Sequence, residues 1–319
     1  MSSWRLLACV LPMVMMAANA AWAQDYPNRV VRIIVPGTGN FFDIAARLYA
    51  QELSGPLGQQ VIVDNRANGI VAAEVTAKAP PDGHTLLIST GSLWLAPFIQ
   101  PSVSFDPVRD YAPITMTTRS PLVLVVHPSL PVTSVRDLIK LAKARPGALN
   151  YAIPTVGSTG HLAVELFKSM AGIDIVQVGY RSSGPATIDL MAGQVQLMFS
   201  VTGGVAQHVK TGRLKALAVS TAQPTALVPG VPTVAESGLP GFSIVSTAGM
   251  LAPANTPAAV INRLNQEFVR VLTKPELKER LFNLGVEAIN SSPAEFAAFI
   301  KAEMAKMGKV IKDAGIRTE

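Results

Sequence analysis

The chain has 319 residues, 27 of them Lys or Arg against 21 Asp or Glu, and a net charge of +6. The basic residues between Arg263 and Lys312 lie on helical stretches interleaved with glutamates, which describes a solvated helix face, and no run of basic residues with interleaved aromatics points to nucleic acid. The single cysteine, Cys9, excludes a disulfide framework and a cysteine zinc site.

Taken in chain order, the first element is 6-LLACVLPMVMMAANA-20, an apolar run preceded by Arg5 and followed by Ala21-Trp22-Ala23. That is the layout of a cleavable signal peptide, and it predicts a cut between Ala23 and Gln24 and a periplasmic mature protein. Too few residues precede Cys9 for a lipidation signal. Strands are then predicted over Val30–Val35, Gln60–Asp64, Thr85–Ser89, Leu122–His127, Leu149–Ile153, Ile175–Tyr180, Gln194–Ser200 and Lys215–Ser220. Many are continuously apolar, as parallel strands buried on both faces are. Helices lie between them. In 134-SVRDLIKLAKARPG-147 the apolar positions recur at helical spacing and Arg145-Pro146-Gly147 ends the run. In 292-SPAEFAAFIKAEMAKMGKVIKDAG-315, Ser292 and Glu295 form a capping box, Pro293 suits the first turn and Gly315 the exit. The C-terminal part reads as helical with no strands of its own, a tail that packs back on the first sheet. The fold class is therefore α/β.

Four turns share a strand, small-residue and helix design that leaves backbone N–H groups and hydroxyls free for an anion. The first is 33-IIVPGTGNFFDIAAR-47. It imitates a dinucleotide fingerprint, but Phe42 occupies the third glycine position and Pro36 removes an amide where pyrophosphate needs one. The second is 155-TVGSTGHLAVELF-167, where Gly157, Ser158, Thr159 and Gly160 precede the helix. The third is 180-YRSSGPATIDLMAG-193, where Ser182, Ser183 and Gly184 lead to Pro185 at a first helical position. The fourth, 65-NRANGIVAAE-74, is weaker. Any one of these serines could do no more than cap its helix. Several such turns in one chain point to a shared cleft, because the loops after parallel strands cluster on one edge.

The chain is poor in catalytic patterns. Gly157-Ser158-Thr159-Gly160 lacks the spacing of a nucleophile elbow, and only on paper can Ser158, His161 and Asp189 be joined into a hydrolase triad. No histidine pair or carboxylate cluster has metal-ligand spacing, and no cofactor is expected.

Seven collinear segments carry a family resemblance: 26-YPNRVVRIIVP-36, 74-EVTAKAPPDGHTLL-87, 104-SFDPVRDYAPI-114, 157-GSTGHLAVELFKSMAG-172, 184-GPATIDLMAGQVQLMF-199, 229-PGVPTVAESGLPGF-242 and 249-GMLAPANTPAAVINRLN-265. The chain resembles the Bug-type extracytoplasmic receptors of tripartite tricarboxylate transporters. The resemblance implies a two-lobed periplasmic binding protein, each lobe a mostly parallel sheet flanked by helices. Lobe one would be 24–121 with 244–319, and lobe two 122–243, with crossings near Pro121 and Ser243. It further implies a monomeric, non-enzymatic receptor that holds a small carboxylate or aromatic carboxylate and hands it to permease subunits in the membrane. Presentation to a sensor protein is the alternative. The implied contacts are Thr38, Gly39, Asn40, Phe41 and Phe42; Thr155, Gly157, Ser158 and Thr159; Tyr180, Ser182, Ser183 and Gly184; and Phe199 with Ser200. Ser158, Thr159, Ser182 and Ser183 would donate to the carboxylate, Asp43 would orient the first loop, and Phe41 and Phe42 would select the solute. The sequence departs from the family at 37-GTGNFFD-43 and 65-NRANGIVAAE-74, which are shorter and poorer in glycine than usual. Both departures fall at the expected cleft.

Overall fold

The computed structural model describes residues 26–317 other than 101, 155 and 181. The signal peptide with its cut, and Thr155, lie outside the described residues. The apolar run 31-VRIIVP-36 forms β1 (Val31–Pro36), followed by α1 (Phe41–Leu57), β2 (Val61–Arg66), α2 (Gly69–Ala77) and β3 (Thr85–Thr90). Two single turns, α3 (Gly91–Trp94) and α4 (Ala96–Ile99), lead into β4 (Tyr111–Val126). Then come α5 (Val135–Ala144), β5 (Asn150–Ile153), α6 (Thr159–Ala171), β6 (Val176–Gly179), α7 (Ser183–Met191), β7 (Leu197–Val201), α8 (Thr202–Lys210) and β8 (Lys215–Val219). After a long loop the chain ends in β9 (Val245–Pro253), α9 (Ala258–Leu272), α10 (Pro275–Asn283), β10 (Glu287–Ala288) and α11 (Pro293–Asp313).

The α/β class holds, with all of these strands in one sheet of order β2-β1-β3-β9-β4-β7-β5-β6, to which β8 and β10 add by pairing with β4. The outer strands are parallel as expected: β1 with β2 and β3, and β5 with β6 and β7. The two long central strands are antiparallel to their neighbours. Two readings of the sequence are corrected here. The strand expected over Leu122–His127 begins at Tyr111, and the C-terminal part, read as strand-free, contributes β9 and β10. Both were hidden for the same reason. Pro113, Pro121 and a run of threonines break the apolar pattern of β4, and β9 is built from small residues, Ser246, Thr247, Ala248 and Gly249. The pairing of β4 changes partner at a single peptide: Tyr111 to Pro121 lie against β9, while Leu122 to Val126 lie against β7.

Strand alternation sorts the side chains into three apolar clusters. One face of the sheet carries a single cluster running under both halves, from Ile34 and Trp94 through Leu122 and Phe199 to Phe296. The opposite face carries two separate clusters. Val31, Ile33 and Val35 pack under α1 and α9 in one half, and Val123, Val125 and Met198 pack under α7 and α8 in the other. The gap between those two clusters is where the site lies.

Candidate ligand-binding site

A cavity of about 330 Å³ opens in that gap. Phe41, Phe42 and Ile44 at the start of α1 wall one side, and Val201, Gly203 and Gly204 at the start of α8 face them. The floor is the sheet itself, Thr118 and Ser120 of β4 beside Ala248 and Ser246 of β9, which are registered cross-strand partners. Leu284, Gly285 and Val286, in the turn between α10 and β10, close the remaining side.

The first loop is set by a hydrogen-bond knot. Asn40 caps α1, its side chain accepting from Asp43 N–H at 3.1 Å and donating to the Pro36 carbonyl at 2.8 Å. Gly39 N–H donates to Asp43 Oδ2 at 2.8 Å, and Asn65 Nδ2 donates to both Asp43 Oδ1 (3.0 Å) and the Gly37 carbonyl (2.7 Å). Those bonds, first Asn65 and then the Gly39 amide, hold the buried Asp43 carboxyl below the usual carboxylate range, and Arg47 adds to them. The knot fixes where α1 starts, and so where the two phenylalanines stand. Their rings meet edge to face at 5.4 Å, partly buried against the cluster under α1.

Across the cavity, α8 begins at Thr202 behind Val201, which gives no side-chain cap, so its first amides have no partner from the capping residue. Two glycines are required here. A Cβ at Gly203 would stand 2.6 Å from the Leu284 carbonyl oxygen, and one at Gly285 2.5 Å from Gly203 N. The two backbones touch directly.

The other expected contacts are placed as follows. Thr38, Gly39 and Asn40 are exposed on the knot and stand off the cavity wall. Ser158 caps α6, accepting from His161 N–H at 3.3 Å, with Thr159 half-buried behind it. Gly157 is pressed against Ile99 of α4 and its N–H donates to His161 Nδ1 at 3.1 Å. Burial lowers the pKa of His161 against an opposing pull from Glu165. Ser182 caps α7 without a side-chain bond, and Ser182, Ser183 and Gly184 are all exposed. Pro185 is the third helical residue, not the first, because α7 starts at Ser183. Tyr180 donates to Asp189 at 2.7 Å, and its pKa is pushed up to about 12 by burial and then by that carboxylate. Asp189 is therefore spent on Tyr180 and the hydrolase triad does not assemble.

Phe199 takes a different place from the one expected. Its ring stacks on Phe242 at 5.7 Å in the cluster on the opposite face, 1 % exposed, because alternation along β7 puts 199 on the face away from Met198. Ser200 is buried beside Gly204. What the reading of the sequence missed is 202-TGG-204, which repeats the strand, small-residue and helix design directly after a predicted strand. The floor residues gave no signal, since β9 was not recognised. Among the described residues no group of His, Cys, Asp or Glu is placed to hold a metal, and no helix is long and apolar enough to cross a membrane.

A mixed sheet flanked by helices, with a cavity between strand-end turns, is the architecture of a periplasmic-type solute receptor. The family model of the tripartite tricarboxylate transporter family receptor matches residues 45–316, and the chain belongs to that family. BugT of Bordetella pertussis (strain Tohama I) is 35% identical over 324 residues, covering 99% of both chains. R. palustris Rpa4515, solved with adipate, is 37% identical with a TM-score of 0.81, covering 92% of this chain and 100% of its own. MatC from Rhodopseudomonas palustris, with bound malate, is 29% identical with a TM-score of 0.76, covering 90% and 100%. The family's proteins are solute-binding receptors, not enzymes.

Proposed function

We propose that this protein captures a small carboxylate in the periplasm, between a lobe formed by 24–121 with 244–319 and a second formed by 122–243, and delivers it to membrane permease subunits of a tripartite transporter. The observation that carries the reading is the cavity itself, walled by the first-loop phenylalanines on one side and the start of α8 on the other. Its volume is within the range of small-molecule sites. Relatives solved with adipate and malate support a carboxylate as the solute class. In this reading closure brings Thr38 to Phe42 toward the turns at 157–159 and 182–184, whose hydroxyls add donors at the cleft rim. Ser182 and Ser183 are exposed, and Ser182 has no capping bond to give up.

The test is a thermal-shift screen of the purified protein, unfolded and refolded to strip any native solute, against mono-, di- and tricarboxylates and acidic amino acids. A ligand at a hundred times its dissociation constant adds roughly 2.7 kcal/mol of stability. A hit that cells take up only when this protein is present supports the receptor and its delivery role. Silence across the carboxylates overturns the reading.

A further inference from the structure

The turn at 157–159 is held from behind by one side chain. His161, in the first turn of α6, is 2 % exposed. Its own N–H donates to Ser158 Oγ at 3.3 Å, and its Nδ1 accepts from Gly157 N–H at 3.1 Å. The turn has no slack on its other sides. A Cβ at Gly157, where φ is +74°, would stand 2.3 Å from Ile99 Cδ1 of α4, and one at Gly160 would stand 2.6 Å from the Phe199 carbonyl oxygen of β7. The segment is wedged between a helix that follows β3 in one half of the sheet and the end of β7 in the other.

Nδ1 can accept only while it is unprotonated, so the neutral ring carries its proton on Nε2. That nitrogen is buried with no hydrogen-bond partner. A second proton, on Nδ1, would meet the Gly157 N–H donor to donor, and the amide would have to turn away. Little around the ring is free to compensate the added charge. Glu165, one turn further along α6, is already taken by the Tyr151 hydroxyl of β5 and by Lys168 Nζ at 2.9 Å. Lys168 is itself a cation, held over the Tyr151 ring at 5.3 Å. From β6 comes Gln177, neutral and accepting from the Tyr151 hydroxyl at 3.2 Å, while α4 and β7 bring only the Ile99 side chain and the Phe199 backbone. Burial first, and then Lys168, hold the pKa of the ring down against Glu165 and Gln177.

Resting on the receptor reading above, we infer that His161 is a positioning residue for solute capture. Its neutral ring fixes the Gly157–Thr159 backbone in the form that meets the solute carboxylate, and protonation of the ring loosens the turn and releases the solute. The residue touches the turn, not the solute, and makes affinity fall in acid.

Titration calorimetry on the refolded protein tests this, with malate and adipate, or the carboxylate ranked highest by the thermal-shift screen, as the probe. His161→Gln keeps an acceptor and cannot take up a proton. The ratio of the wild-type to the His161→Gln dissociation constant, in which titration of the solute itself cancels, is expected to rise about three-fold or more between pH 8 and pH 5. His161→Leu, which strands the Gly157 N–H, is expected to weaken binding about ten-fold at pH 8. Because coupling is reciprocal, the His161 ring resonance, assigned by its absence from the His161→Gln spectrum, should titrate at lower pH when the probe is saturating. A residue that only supports the fold would leave that titration where it was. A ratio that stays flat with pH, or a resonance that the probe does not shift, would overturn the inference and leave the receptor intact. Failure of every carboxylate to bind at pH 8 would instead remove the receptor reading, and this inference with it.

Discussion

Gly249 sits in β9 directly beneath the Phe296 ring, so close that a Cβ there would overlap it. Phe296 is fully buried and meets Trp94 edge to face at 6.0 Å, so the ring cannot retreat without disturbing the largest cluster. Gly249→Ala is therefore expected to destabilise by about 1–3 kcal/mol, the usual cost of overpacking. Combined with Phe296→Leu it should cost less than the sum of the two changes, a coupling that a denaturant double-mutant cycle measures. His161 presents a second single-residue effect. Its Nδ1 accepts from the Gly157 amide, which only an unprotonated nitrogen can do, and its pKa in the fold is lowered by burial. The unfolded chain takes up the proton near the ordinary value of about 6.5. The contribution of neutral His161 is thus complete above that pH and is lost as pH falls from there through the lowered folded value. Thermal unfolding between pH 8 and pH 5 should show this decline in the wild type and not in His161→Gln.

The elements that build the site differ in how far they could be read in advance. The helix α11 was legible because its start is chemically explicit. Ser292 and Glu295 satisfy each other's backbone N–H groups, and Ser292→Ala should cost about 1 kcal/mol in chemical denaturation. The strand β1 was legible because its apolar run is buried on both faces. The floor of the cavity was not, since β4 and β9 carry prolines, threonines and glycine and hold their places by pairing rather than by burial pattern. The phenylalanines were singled out in advance through the family resemblance, and both line the cavity. Gly203 and Gly204 were passed over although their turn has the same design. The meeting of α8 with the turn after α10 makes a prediction at this scale. Gly203→Ala would push its methyl against the Leu284 carbonyl and displace the turn that closes the cavity. Solute affinity should fall more than ten-fold in calorimetry, with a melting temperature lowered by only a few degrees. An unchanged affinity would mean that the turn plays no part in the site.

At the scale of the whole molecule, the two faces of the sheet are put to different uses. One face is filled by a single cluster that ties both halves together, and the other is left with two clusters and a gap. A fold with a common cluster and a shared strand should melt in one transition, so calorimetry of the solute-free protein is expected to show a single peak. The shared strand has a further consequence. At Pro121 the ladder passes from β9 to β7 and β8, and proline brings no N–H of its own to that point. Its carbonyl is instead met by the hydroxyls of Ser120 and Thr202 at 3.3 Å. As a mechanical part, the sheet is one ribbon with a notch. The return crossing lies at the same level, where Val245 is the partner of Pro121 while Ile244 N–H donates to the Ser220 carbonyl, so both passages of the chain between the halves meet the sheet at the notch.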